Sequence, residues 1–119
     1  MPTDRDLLDL LTAAYDAFNA RDIDAALSVM HPDVDWPNGW EGGRVRGRQA
    51  VRDYWTRQWA AIDPRVDPVA FAVDATGRAV VKVHQLVRDL QGNPVSEGMV
   101  EHVYRIEHGL IRSMDIRES

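Results

Sequence analysis

The chain has 119 residues, a net charge of −5, 45% apolar and 28% charged side chains, and is long enough to bury a core as one domain, residues 1–119. A diffuse acidic balance argues against a phosphate-backbone partner, so no nucleic acid is expected. With no cysteine, a disulfide framework and a thiolate zinc site are both excluded. No apolar run nears the roughly 20 residues of a membrane span, so no membrane partner is expected. The polar start Met-Pro-Thr-Asp-Arg-Asp lacks a signal peptide's apolar segment, which makes a cytoplasmic location the expectation.

Leu7, Leu8, Leu11, Tyr15 and Phe18 recur at helical spacing, with Thr3 and Asp6 suited to an N-cap and an acidic first turn. Asn19-Ala20-Arg21 breaks that pattern. Asp22 then caps a second helix carrying Ile23, Ala26, Leu27 and Met30, and Pro32 ends it. Val34 to Trp36 reads as a short strand, and the Gly- and Pro-dense stretch from Pro37 to Gly43 as a loop. A third helix is expected from about Arg48 to Ile62, stopped by Pro64. Val66–Val73, Ala79–Leu90, Val95–Ile106 and Leu110–Ile116 are rich in β-branched residues and separated by turn signals, so they read as an antiparallel meander. Helices followed by such a meander are an α+β pattern.

Pairing can be predicted from the turns. With Gly92-Asn93-Pro94 and Glu107-His108-Gly109 each taken as a three-residue loop, His84 lies opposite His102, Leu86 opposite Val100, His102 opposite Met114 and Tyr104 opposite Arg112. One face then carries His84, His102, Tyr104 and Met114. The other carries Val83, Gln85, Glu101, Val103 and Asp115. A one-residue slip in either hairpin exchanges these assignments, and patterning alone leaves open which face meets the helices.

Ala17–Ala25 (Ala-Phe-Asn-Ala-Arg-Asp-Ile-Asp-Ala), Pro32-Asp33-Val34-Asp35-Trp36, Gly47-Arg48-Gln49-Ala50-Val51 and the run His102–Ile111 together resemble the NTF2-like superfamily, in particular its SnoaL-like branch. The resemblance spans essentially the whole chain. It implies a cone-shaped fold, with three N-terminal helices packed on a curved, mostly antiparallel sheet around a cavity. It also implies a small-molecule ligand, and homodimers through the outer face that would bury Val83 and Val103. This fold hosts isomerases, cyclases, dehydratases and non-catalytic binding modules, so it does not define a reaction. Set against the ketosteroid isomerases of this superfamily, the general-base position falls at Asn38. The oxyanion tyrosine falls near Ala14, with Tyr15 one residue on. The second oxyanion donor falls at His102, and two supporting tyrosines fall near Met30 and Trp55. An asparagine cannot abstract a proton as a carboxylate does, so the pocket carries over and the isomerase machinery does not.

His84 and His102 are the sharpest chemical candidates. Paired on the concave face they would serve as acid and base near neutral pH, or simply hydrogen-bond within a polar wall. A third metal ligand is not evident, so neither metal nor cofactor is expected. Asn38 would orient a ligand carbonyl, or act as a turn residue beside Gly39. Trp36, Trp40, Tyr54, Trp55, Trp59, Tyr104 and Met114 would form an apolar, aromatic ligand wall, with Trp40 over its mouth. An ordinary small core accounts for the aromatic count too. Arg112 would meet a ligand carboxylate or solvent. Glu101 and Asp115, placed opposite each other on the outer face, become the acid/base pair if the face assignment is reversed. The leading expectation is a cofactor-free proton-transfer enzyme of the isomerase, cyclase or dehydratase type. Its rival is a non-catalytic binding module.

Overall fold

The computed structural model describes residues 3–118. Its elements are α1 (Asp4–Asn19), α2 (Ile23–Ser28), β1 (Met30–Pro37), β2 (Arg44–Arg46), α3 (Arg48–Ala61), β3 (Asp63–Val73), β4 (Ala79–Arg88), β5 (Pro94–Glu107) and β6 (Leu110–Glu118). The strands form one sheet in the order β2-β1-β6-β5-β4-β3, antiparallel except for the β1–β6 pair. The sheet is curved and unclosed, and its concave face packs on the helices. This is the expected α+β, NTF2-like architecture.

α1 starts with the full reciprocal capping box between Thr3 and Asp6. Its buried stripe of Leu7, Leu11, Ala14 and Tyr15 crosses the concave face. At its end the chain turns through Arg21, which holds φ at 61°. The side chains of this joint fasten the helix to edge strand β3. The Asn19 amide donates to Val66 O at 2.7 Å and accepts from Val66 N at 3.0 Å, much as a neighbouring strand would. The Arg21 guanidinium bonds Pro64 O at 2.7 Å, pairs with Asp63 and lies over the Phe18 and Trp59 rings. An edge strand also tolerates Pro64 and Pro68, which donate nothing to a ladder.

The β1–β6 seam is held largely by arginines. Only Met30–Ile111 and Asp35–Ser113 are in register there, with an irregularity between them. Arg48 bonds Met30 O at 2.9 Å through Nε, Arg44 bonds Met114 O at 2.6 Å, and Arg112 bonds Asp33 O at 2.5 Å. Carbonyls that a regular ladder would satisfy are satisfied by guanidinium groups instead.

Several expectations need correction. Helix α2 ends at Ser28, and β1 already begins at Met30, four residues ahead of Val34. The short strand β2 lies where only the end of a loop and the approach to a helix were read. The β4–β5 turn comprises Asp89 to Asn93, because Asp89 Oδ1 accepts from both Gln91 N and Asn93 N at 2.9 Å. Pairing therefore shifts by three residues: His84 faces Met99, and Val81 faces His102. An odd shift reverses the face, so Val81, Val83, Gln85 and Val87 look inward while His84 looks outward. The last hairpin closes through only His108 and Gly109, at φ 54° and 74°, as a two-residue turn of the twisted type requires. A bulge between Arg105 and Ile106 then leaves Tyr104 opposite Met114 and His102 opposite Ile116. That net shift of two keeps His102, Tyr104 and Met114 on one face, as expected.

Glu101 does not meet Asp115. It pairs with Arg117 at 3.2 Å, while Asp115 pairs with Arg44 at 2.9 Å. Val83 is fully buried against the chain's own helices and Val103 is 4% exposed, so neither residue reports on a dimer.

The joint supports a stability prediction. Asn19→Ala leaves both peptide groups of the buried Val66 unpaired and should lower the unfolding free energy in urea by about 2 kcal/mol. Gln49→Ala, which removes an exposed bond to Asp53, should change it by less than ~0.5 kcal/mol.

Candidate functional site

The wedge between α1, α3 and the concave sheet face is a pocket of about 620 Å³, open at one end. It is walled chiefly by aromatic rings. Trp36 and Trp55 meet edge to face at 5.7 Å, Phe18 abuts Trp55 at 5.2 Å, and Tyr104 leans on Trp36 at 6.4 Å. Tyr54 and Met114 complete the inner wall, and Trp40 and Ile116, 40% and 42% exposed, stand at the rim. Of the aromatic wall expected from the sequence, Trp59 alone is displaced. It stacks behind Trp55 at 5.6 Å, away from the pocket, with its indole N–H buried and unpartnered. The helical stripe turns it outward by one position too many, and the Arg21 guanidinium 5.0 Å above its ring covers it.

The deep end is built from three residues on two elements. Tyr15, from α1, reaches His102 Nδ1 at 2.8 Å, and the Tyr104 hydroxyl donates to the Tyr15 oxygen at 2.8 Å. The Tyr15 and His102 rings stack at 5.8 Å, and Tyr104 meets both edge to face. All three are buried, His102 at 5% exposure. Burial disfavours every charged form here. The Tyr15 hydroxyl is pushed far above the usual phenol range by desolvation and by the neighbouring Tyr104, and desolvation raises Tyr104 as well. The same cause lowers His102 to about 4, so at neutral pH the imidazole is uncharged.

His84 is not part of this group. Its Nε2 lies 2.8 Å from a Glu97 carboxylate oxygen on the outer face. The expected histidine pair is therefore separated by the sheet, a direct result of the β4 register. Asn38 is at the pocket wall but its amide serves the loop. Oδ1 accepts from Glu41 N at 2.7 Å and Trp40 N at 3.3 Å, while Nδ2 donates to Glu41 Oε1 at 2.9 Å. Glu41 is in turn tied to Arg57 of α3 at 2.8 Å, which fixes the loop carrying Trp40. Arg112 spends its guanidinium on Asp33 O and the Glu107 side chain rather than on the pocket. Among the described residues, the wall carries one guanidinium and one carboxylate, those of Arg44 and Asp115, and Arg44 pairs with Asp115 at 2.9 Å and with Asp35 at 2.6 Å.

From the sequence Tyr15 reads as a stripe residue of α1, one position from where the resemblance places an oxyanion tyrosine, and not as a partner of His102. A signal was present: a phenol inside an otherwise apolar buried stripe needs a hydrogen-bond partner, and that partner has to lie across the core.

The family model of the SnoaL-like domain matches residues 11–114, and the chain belongs to this family. TerC, crystallised with polyporic acid, shares 26% identity with it at a TM-score of 0.80, over 94% of this chain and 90% of that one. A provisionally assigned polyketide cyclase from Sinorhizobium meliloti shares 26% identity at 0.77, over 98% of this chain and 100% of that one. A Mycobacterium tuberculosis protein in complex with estradiol-17β-hemisuccinate is 21% identical at 0.77, over 90% and 88%, a likeness of fold. No curated protein matches the sequence. No helix among the described residues is long and apolar enough to cross a membrane.

The buried imidazole makes stability depend on pH. Its folded pKa of about 4 lies below the ordinary 6.5, so the unfolded chain binds the extra proton between those values. Stability from this group is full above pH 6.5 and falls as the pH drops toward 4. The loss integrates to about 3 kcal/mol. Urea titrations at pH 7 and pH 4.5 should show a drop for the wild type that His102→Gln reduces by a comparable amount. Equal drops would mean that His102 is protonated freely in the folded state.

Proposed function

We propose that the protein binds a flat, mostly apolar small molecule in this pocket and acts on it by cofactor-free proton transfer, as an isomerase, cyclase or dehydratase would. The observation that carries the reading is the neutral, buried His102 at the deep end of an aromatic pocket. The pocket's volume of about 620 Å³ is several times the ~150 Å³ that encloses a benzene, which suits a ligand of several rings. TerC's polyporic acid and the mycobacterial protein's estradiol ester are ring compounds of this kind and support the ligand class.

An uncharged imidazole at the deep end is a poor base at neutral pH and a good hydrogen-bond donor. Facing a ligand carbonyl, it would stabilise the negative charge that develops on oxygen when a proton leaves the adjacent carbon. Such a bond strengthens in the transition state, where it accelerates the reaction. Among the described residues lining the pocket, Asp115 carries the one carboxylate, at the rim and paired with Arg44 at 2.9 Å, and it is the acceptor we assign to that proton. His84 takes no part, and Asn38 holds the Trp40 loop. The rival reading, a binding module without turnover, draws support from the Arg44–Asp115 pair at 2.9 Å, which ties down the only available base.

Solvent exchange at carbon tests the proposal without knowledge of the natural substrate. In D2O, 2-tetralone should quench tryptophan fluorescence on binding and exchange its α-protons faster with the protein than in buffer. His102→Gln and Asp115→Asn should each slow the catalysed exchange by about 100-fold while quenching persists. Quenching without accelerated exchange would decide for the binding module, and absence of both would remove the pocket from consideration.

A further inference from the structure

We infer that Tyr15 and Tyr104 are positioning residues that lock His102 in the tautomer carrying its proton on Nε2, so that the deep end offers a ligand a single donor and selects for an acceptor oxygen. This rests on the ligand pocket proposed above but not on any turnover there.

Counting protons decides the tautomer. Three groups stand in line, Tyr104 hydroxyl, Tyr15 hydroxyl and His102 Nδ1, with 2.8 Å between neighbours. The neutral imidazole carries one ring proton, and each phenol carries one. Two directions are possible. If His102 Nδ1–H donates to Tyr15, then Tyr15 donates to Tyr104, and the Tyr104 proton needs a further acceptor. Among the described residues the Tyr104 hydroxyl has no hydrogen-bond partner besides Tyr15, and the residue is 2% exposed. A hydroxyl proton left without an acceptor at so buried a residue costs about 1–3 kcal/mol.

In the other direction Tyr104 donates to Tyr15, Tyr15 donates to Nδ1, and both phenol protons are used. The remaining proton then sits on Nε2. That nitrogen has no protein partner, yet it is not among the sealed, unpartnered atoms: Trp59 Nε1 alone has that status among the described residues. His102 is on the pocket wall, so Nε2 keeps access to pocket space. The second direction therefore leaves its one unpaired donor where a ligand can take it.

The consequence is selectivity. Tyr15 has spent its proton on His102 and cannot donate to a ligand. A carbonyl or ether oxygen matches the Nε2–H; a ligand that presents only hydrogen at that point leaves the donor unpaired. Tyr15 thus influences ligand choice through the imidazole rather than by contact chemistry of its own.

Long-range 1H–15N correlation spectra of histidine-labelled protein at pH 7 read the tautomer without any ligand. Wild type should show His102 protonated on Nε2 and bare on Nδ1. Tyr15→Phe, which keeps the ring packing, should lose that single pattern and show Nδ1 protonation in a substantial fraction. A wild-type Nδ1–H pattern, or an unchanged Nε2–H pattern in Tyr15→Phe, overturns the inference. Selectivity is read with 9-fluorenone against fluorene, both measured by tryptophan quenching. Wild type should bind the ketone about 10-fold tighter, and Tyr15→Phe should lose most of that ratio. Equal binding of the two by wild type overturns the selectivity. If neither binds, the pocket assignment falls while the tautomer result stands or fails by the spectra.

Discussion

Every feature of the pocket follows from how the first helix is fastened to the sheet. Asn19 pairs with both peptide groups of Val66 at the edge strand, and Tyr15, one turn earlier on the helix, reaches across to His102 in the middle of the sheet. The two attachments lie on different strands. They fix the helix along the concave face while α3 stands off on the other side, and the gap between them is the pocket. The first attachment is polar and local, and it shields the backbone of an edge strand that would otherwise be open to pairing. The second is a buried polar bridge, tolerable because all of its protons but one find acceptors within it. A single residue of slip in α1 would rotate Tyr15 by about 100° and break the second attachment.

The sheet's opposite side has a different solution to a similar problem. Parallel β1 and β6 pair poorly, and their free carbonyls are taken by Arg44, Arg48 and Arg112. Arg44 spends most of its donors on Asp35, Met114 and Asp115. A guanidinium so occupied is a structural tie, which is why a positively charged side chain on the pocket wall does not make the pocket an anion site. Its partner Asp115 belongs to the outer face by strand parity, opposite Val103, and borders the pocket only at its rim.

Much of this was legible in the sequence, and the exceptions share a cause. The helix caps, the α+β order and the shared face of His102, Tyr104 and Met114 were readable because Thr3, Asp22 and strand alternation act over short range, whereas the face that turns inward was left open by patterning. The family-level resemblance supplied the cone. Strand β4 was placed on the wrong face because Gly92-Asn93-Pro94 drew attention away from Asp89. An aspartate three residues before a glycine closes a five-residue turn with its own side chain, and Asp74 with Gly77 does the same in the preceding hairpin. Two such turns in succession were a repeated signal. The role of Tyr15 was harder to read, since a contact 87 residues away leaves no local trace. Asn38 and Trp59 fall between these cases: Asn38 lines the pocket with its amide turned to Glu41, and Trp59 lies behind Trp55 under Arg21, so the side-chain directions depend on residues of a loop and a joint.

A histidine suits the deep end of this pocket for an electrostatic reason. A carboxyl group in an apolar site has to be held protonated against its tendency to ionise, and that requires a large upward shift. An imidazole starts near 6.5, and burial moves it further toward its neutral form, to about 4. Desolvation would favour a protonated carboxylic acid too, but from a starting value far below neutral pH; the imidazole starts near neutral, so the same burial leaves it an uncharged donor over the whole neutral range. The cost is that a neutral imidazole has two tautomers, only one of which presents a donor to the pocket. A carboxylic acid does not need a partner to choose between them; a histidine does, and Tyr15 with Tyr104 behind it supplies that choice. The use of an imidazole donor and the commitment of the tyrosine proton therefore go together. Removing the Tyr15 hydroxyl would leave Nδ1 without its partner and the tautomer unselected at the deepest point of the pocket.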